Sequence, residues 1–261
     1  MFPPQKYSLL GVEISRINLD SGTEAIFQAI AEHQRGYVTV TGVHGVIEAQ
    51  NDPEFRAILN GALITTPDGM PTVWCGRAKG HHEMGRVYGP DLMLRVFEES
   101  AAKGIKHFFY GGREGVAELL RKKLEERFPK IEIVGTYCPP FRPLNDNELT
   151  HLQQQVRETQ PDIFWVGLST PKQELFMAEY LPKLEVPLMI SVGAAFDFHA
   201  GLVVQAPKWI QQNGLEWFYR LCTEPKRLWR RYFTIVPKFL WLLGCEGLQT
   251  IFRSFLSVCG F

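Results

Sequence analysis

Short apolar runs alternate with longer stretches of helical periodicity, and this alternation constrains the fold more than any other feature of the chain. Tyr37–Thr41, Ala62–Thr66, His107–Tyr110, Ile131–Val134, Asp162–Val166 and Leu188–Val192 read as strands. Between them, about Val46 to Asn60, Asp91 to Lys103, Val116 to Phe128, Leu149 to Thr159 and Pro171 to Leu181 carry helical spacing. Strands of four to six apolar residues joined by helices imply right-handed βαβ crossovers and a mostly parallel sheet. The expected fold is α/β: a Rossmann-like, mostly parallel sheet with helices on both faces over residues 1–205, followed by a helical C-terminal appendage over 206–261.

In such sheets ligands bind at the carboxyl ends of the strands. The loops to inspect are therefore 42–45, 67–70, 111–115, 167–173 and 193–199. Asp68 and Gly69 lie in a Pro-Asp-Gly just past a strand. A carboxylate there is placed to act as a general base, and the same three residues also make an ordinary turn. Gly111 and Gly112 follow a strand and precede a helix, so they suit either a phosphate held by backbone N–H groups or a tight turn needing positive φ. Asp91 opens a helix, where the dipole alone accounts for it, or contacts ligand. Gln173, in the first turn of another helix, binds a sugar or uracil, or caps its own helix.

The balance of 28 Lys plus Arg against 28 Asp plus Glu gives no net charge and argues against a nucleic-acid partner. The zero is not uniform. Residues 220–238 hold six cations and one anion. On a helix opening at Pro225, Lys226, Arg227, Arg230 and Arg231 share one arc, while Leu228, Trp229, Tyr232, Phe233, Ile235 and Val236 share the opposite one. A basic amphipathic helix of this kind suits a membrane surface. The same apolar arc would equally pack on the α/β domain or against a second copy of the chain.

Five scattered cysteines without a C-x-x-C point to no disulfide framework or zinc site and fit a reducing compartment. The N-terminus lacks the marks of a signal peptide, and the most apolar stretch, Phe239–Cys245, is too short to span a bilayer. No H-E-x-x-H and no D-x-D occurs. The expected site works without a metal or other cofactor, with protein cations balancing any diphosphate.

Taken in order, these loops resemble the WecG/TagA/CpsF glycosyltransferases (glycosyltransferase family 26). The text that carries the resemblance is Thr66-Pro-Asp-Gly69, Arg86-Val-Tyr-Gly-Pro-Asp-Leu92, Phe109-Tyr-Gly-Gly112, Pro161–Gly167, Pro171-Lys-Gln-Glu174, Val192–Gly201, Gly214–Leu221 and Glu224–Tyr232. The resemblance covers roughly residues 8 to 240. It implies an inverting transfer of an N-acetylmannosamine-type or other hexose from a UDP-sugar to a polyprenyl-diphosphate-linked sugar. The setting it implies is bacterial surface-polysaccharide synthesis at the cytoplasmic face of the membrane.

By the same resemblance Asp68 is the base. The resemblance also puts Gln173 in the pocket, with Arg220, Arg227 and Arg230 reaching toward it from the appendage. Thr41, Gly42, Gly69, Arg86, Asp91, Gly111 and Gly112 are further expected substrate contacts. The chain departs from the family pattern in three places. Val40 and Gly42 stand where Thr-x-Asn is usual, Gln205 where a basic residue is common, and Pro139-Pro-Phe141 where Gly-aromatic-Phe is usual. Two other classes remain to be separated: an NAD-dependent oxidoreductase, for which no G-x-G-x-x-G is present, and a non-enzymatic membrane-docking scaffold.

Overall fold

The structure, a computed structural model, describes residues 2–259, without the side chains of Arg227 and 248–259. It opens with an antiparallel hairpin, β1 (Lys6–Leu9) and β2 (Val12–Ser15), turned by Leu10 and Gly11 at positive φ. Helix α1 (Leu19–Ala31) follows, started by a capping box between Asn18 and Ser21.

Six further strands make one sheet: β3 (Gly36–Thr41), β4 (Ile64–Pro67), β5 (Lys106–Gly111), β6 (Glu132–Tyr137), β7 (Ile163–Gly167) and β8 (Leu188–Ser191). Their order is β4-β3-β8-β7-β5-β6, and every neighbouring pair is parallel. The expected Rossmann-like α/β architecture is what forms. Side chains alternate between the two faces, as strand geometry requires. Phe109, Ile163, Trp165, Leu188 and Ile190 enter one buried cluster, and Phe108, Tyr110, Phe164, Val166 and Met189 enter another.

Helices cover both faces. The first cluster is closed by α1, α5 (Gly89–Ser100), α6 (Val116–Arg127) and α9 (Ala195–His199). The opposite face takes α7 (Asp146–Thr159) and α8 (Lys172–Tyr180) at one end. At the other end it takes the hairpin with α2 (Val43–Asn51), α3 (Pro53–Asn60) and α4 (Met70–Ala78).

Three local expectations change. The helix expected from Val46 to Asn60 is two helices. Asp52 accepts hydrogen bonds from the N–H groups of Glu54 and Phe55, and Pro53 starts the second helix. Pro171 stands at the N-cap of α8 rather than inside its first turn. The hairpin, α1 and α4 are additions that the strand-and-helix alternation does not reveal.

The residues after 205 form α10 (Lys208–Gln212), α11 (Glu216–Thr223) and α12 (Pro225–Cys259). The single apolar arc expected of α12 divides in two. Leu228, Ile235 and Phe239 are buried, the latter two in the cluster that holds Val46 and Ile47 of α2. Trp229, Phe233, Leu240 and Trp241 stay 48%, 72%, 62% and 67% exposed along the other side. Packing on the α/β domain thus claims part of the arc and leaves an aromatic stripe uncovered. Among the described residues, no helix is long and apolar enough to cross a membrane.

Candidate active site

Strand β4 ends at Pro67, and the chain turns at once. The Asp68 N–H donates to the carbonyls of Thr66 and Thr41, which ties the ends of β4 and β3 together. Gly69 takes φ +91°, a conformation that L side chains avoid, and caps α4. The turn reading of Pro-Asp-Gly holds, and the turn sets Asp68 at the carboxyl edge of the sheet, where the site reading needs it. Gly42, at the start of α2, lies against it. A Cβ on Gly42 would stand 3.0 Å from the Asp68 carbonyl oxygen and 3.6 Å from Oδ2. An asparagine here, as in the family pattern, would press on the Asp68 loop. Thr41 is buried beside them, and its hydroxyl has no partner among the described residues.

The segment after α4 returns along β4. Val87 N–H donates to the Pro67 carbonyl, and the Thr66 hydroxyl donates to the Val87 carbonyl. This places Arg86 and Tyr88 next to Asp68. Gly89 then passes close to the ends of β3 and β8, where a Cβ would meet the Val192 carbonyl at 3.2 Å. Asp91 follows in the first turn of α5.

The appendage completes the cluster. Glu216 of α11 accepts a charge-assisted hydrogen bond from Arg86 Nη2, and Gln211 of α10 accepts one from Nη1 at 3.1 Å. The Arg86 guanidinium lies 4.0 Å from the Tyr88 ring centroid. A cleft of about 740 Å³ opens here, lined among others by Met70, Arg86, Asp91, Lys208 and Gln211. Asp68 does not line it. Arg86 and Asp91 belong both to the cleft and to the surroundings of Asp68.

The electrostatics follow from these neighbours. Burial pushes the Asp68 carboxyl up to about 6; Arg86 and Arg220 pull it down, while Glu216 and Asp91 push it further up. Burial likewise raises Asp91, against the opposing charges of Arg86, Lys208 and His199. A carboxylate titrating near neutrality, partly reachable and facing cations, has the properties of a general base. Among the described residues no three His, Cys, Asp or Glu side chains gather as metal ligands would.

Other expected site residues lie elsewhere. Gly111 ends β5 and Gly112 follows it, and β5 and β4 are four strand spacings apart, roughly 19 Å at about 4.8 Å each. Both glycines adopt positive φ, and a Cβ on Gly111 would stand 2.6 Å from the Gly167 carbonyl oxygen. The Gly112 N–H already donates to that oxygen. The tight-turn reading accounts for both residues, and the phosphate reading loses the Gly112 N–H.

Gln173 is 3% exposed and its amide is engaged within its own neighbourhood. Nε2 donates to Glu174 and Thr170, and Oε1 accepts from the Gly193 N–H. It joins the ends of β7 and β8 rather than opening toward solvent. Arg220 is the appendage arginine whose charge reaches Asp68 among the described side chains. Arg230 stands exposed, 5.4 Å from the Trp229 ring, and is not among the charges that act on Asp68. The side chain of Arg227 lies outside those described. Tyr88, Gln211 and Glu216 are additions; Tyr88 and Glu216 sit inside motifs quoted above, but nothing in the sequence pairs them.

Comparison with known proteins identifies the family. The family model described as "Glycosyl transferase WecG/TagA/CpsF family" matches residues 7–252. An N-acetylglucosaminyldiphosphoundecaprenol N-acetyl-beta-D-mannosaminyltransferase of Bacillus spizizenii is 31% identical over 74% of this chain and 72% of its own length. The protein of the same name from Bacillus subtilis is 30% identical over 73% of this chain and 72% of its own length. These matches set aside both the oxidoreductase and the non-enzymatic scaffold. The chain belongs to the WecG/TagA/CpsF family and is a glycosyltransferase.

Proposed function

We propose that the enzyme moves a hexose, of the N-acetylmannosamine type or a relative, from a UDP-sugar to a sugar carried on polyprenyl diphosphate, with inversion and without a metal. The reading places this step in the assembly of a bacterial surface polysaccharide. The observation that carries it is Asp68, held at a strand end within reach of the charges of Arg86 and Arg220, its carboxyl raised by burial to about 6. The names of the Bacillus relatives support the choice of donor sugar and lipid-linked acceptor.

In this reading the acceptor hydroxyl attacks the anomeric carbon from the face opposite UDP. A new C–O bond forms as the bond to the UDP β-phosphate oxygen breaks, and the hydroxyl proton passes to Asp68. Arg86 and Arg220 stabilise the charge that develops on the diphosphate, the work a divalent cation does in other transferases. Substrate contact is assigned to Thr41, Gly42, Gly69 and Asp91 around the same loop. Gln173, Gly111 and Gly112 shape the far end of the edge.

Residues 206–261 act as the appendage that covers the site and meets the membrane on its cytoplasmic side. The exposed stripe of Trp229, Phe233, Leu240 and Trp241, with Lys226 and Arg230 beside it, supports this contact. Each basic residue near an anionic surface is worth roughly 1 kcal/mol, and each buried aromatic adds to it.

The test is UDP release from a panel of UDP-sugars with a polyprenyl-diphosphate-linked acceptor, and the anomeric configuration of the product. Release confined to one donor, an inverted product and activity that survives EDTA are expected. A retained configuration or a strict Mg²⁺ requirement overturns the corresponding part.

A further inference from the structure

Resting on the assignment of Asp68 as the base, we propose that Glu216 is a positioning residue of the active site. The appendage delivers its carboxylate to hold Arg86 over the Tyr88 ring and so to fix the charge that Asp68 faces.

Two donors converge on this one side chain. Arg86 donates to it through Nη2, and the Tyr88 hydroxyl donates to it as well. The Arg86 and Glu216 side chains are only 14% and 16% exposed, so the pair is largely withdrawn from water. Gln211 holds the other guanidinium nitrogen, and its own amide donates to the Ala206 carbonyl, which braces the start of the appendage. Arg86 therefore has little rotational freedom while α10 and α11 are seated.

A buried ion pair is a poor device for stability alone, because desolvation offsets most of the Coulomb gain. Its effect on a third charge is larger. Asp68 faces Arg86, Tyr88 and Asp91 from the α/β domain, and Glu216 and Arg220 from α11. The two cations stabilise its carboxylate, and the two acids oppose them. Without Glu216 the cations predominate, Asp68 holds its proton less tightly, and its strength as a base falls. Seating the appendage and tuning the base become one event.

The test is the pH profile of kcat/KM in the full-length enzyme. In the wild type, activity falls on the acid side as Asp68 takes up its proton. Glu216→Gln removes a neighbouring negative charge, so the acid limb moves down by about half a pH unit or more. The plateau falls roughly tenfold with the weaker base and the freer Arg86. Glu216→Asp keeps the charge and leaves the limb within about 0.2 pH unit of wild type, at a reduced plateau. A limb that stays in place in a folded Glu216→Gln variant overturns the inference, since a purely structural tie would lower the plateau without moving the limb. Turnover by Asp68→Asn near the wild-type rate would instead refute the assignment of the base itself.

Discussion

The two ends of the sheet's carboxyl edge are built from the same kinds of residue and put them to opposite use. At the β4 end, Asp68, Arg86, Asp91, Glu216 and Arg220 crowd together, and a cleft opens beside them. At the β5–β7–β8 end, Gly111 and Gly112 are consumed by contact with Gly167, and Gln173 and Thr170 both donate to the same Glu174 oxygen. A polar residue in a strand-end loop is thus no guide to chemistry by itself. What separates the ends is whether the polar groups are taken up by local backbone and side-chain bonds or gathered as charges of both signs beside a cleft.

Charge removal at the active end should have the largest effect. Arg86→Ala should lower kcat/KM by about 10²–10³-fold, the cost of removing one group that stabilises a leaving charge. Steady-state kinetics at saturating acceptor checks this, and a change below about fivefold would mean that Arg86 only ties the appendage down.

The silent end should answer in stability. Gln173→Leu leaves the Gly193 N–H without its acceptor and takes one donor from the buried Glu174 carboxylate. A loss of roughly 2 kcal/mol is expected. Chemical denaturation measures it, and KM for the donor should stay within about threefold while the variant is folded. A normal stability with a donor KM raised tenfold would move Gln173 into the binding machinery and erase the contrast.

The smallest effect lies on α12. Trp229→Ser with Phe233→Ser should weaken flotation with anionic vesicles by about tenfold or more and leave turnover of a water-soluble acceptor analogue unchanged. Unchanged flotation would assign the stripe to another partner.

Much of this architecture is legible in the residues themselves. Parallel strands buried on both faces are written as unbroken apolar runs such as Ile163-Phe-Trp-Val166, and helices announce themselves through spacing and caps. The hairpin escapes notice because its strands are four residues long and carry Lys6, Ser8 and Glu13 among their apolar positions. Asp68 is legible because a carboxylate one residue past a strand can hardly be anywhere but the edge.

Glu216 is not. It stands 130 residues from Arg86, and only the fold-back of α10 and α11 brings the two together. The apolar arc of α12 misleads for a related reason. Periodicity shows that Leu228 and Phe233 are apolar, but not that α2 is waiting for one side of the helix and nothing in the described chain for the other.

The account stands on Asp68 as proton acceptor, and the turnover of Asp68→Asn tests it most directly. Single-turnover transfer with the donor bound should slow at least about 100-fold, while the affinity for UDP and the unfolding midpoint are kept. Transfer within about threefold of wild type, by a folded variant that binds UDP normally, would contradict it.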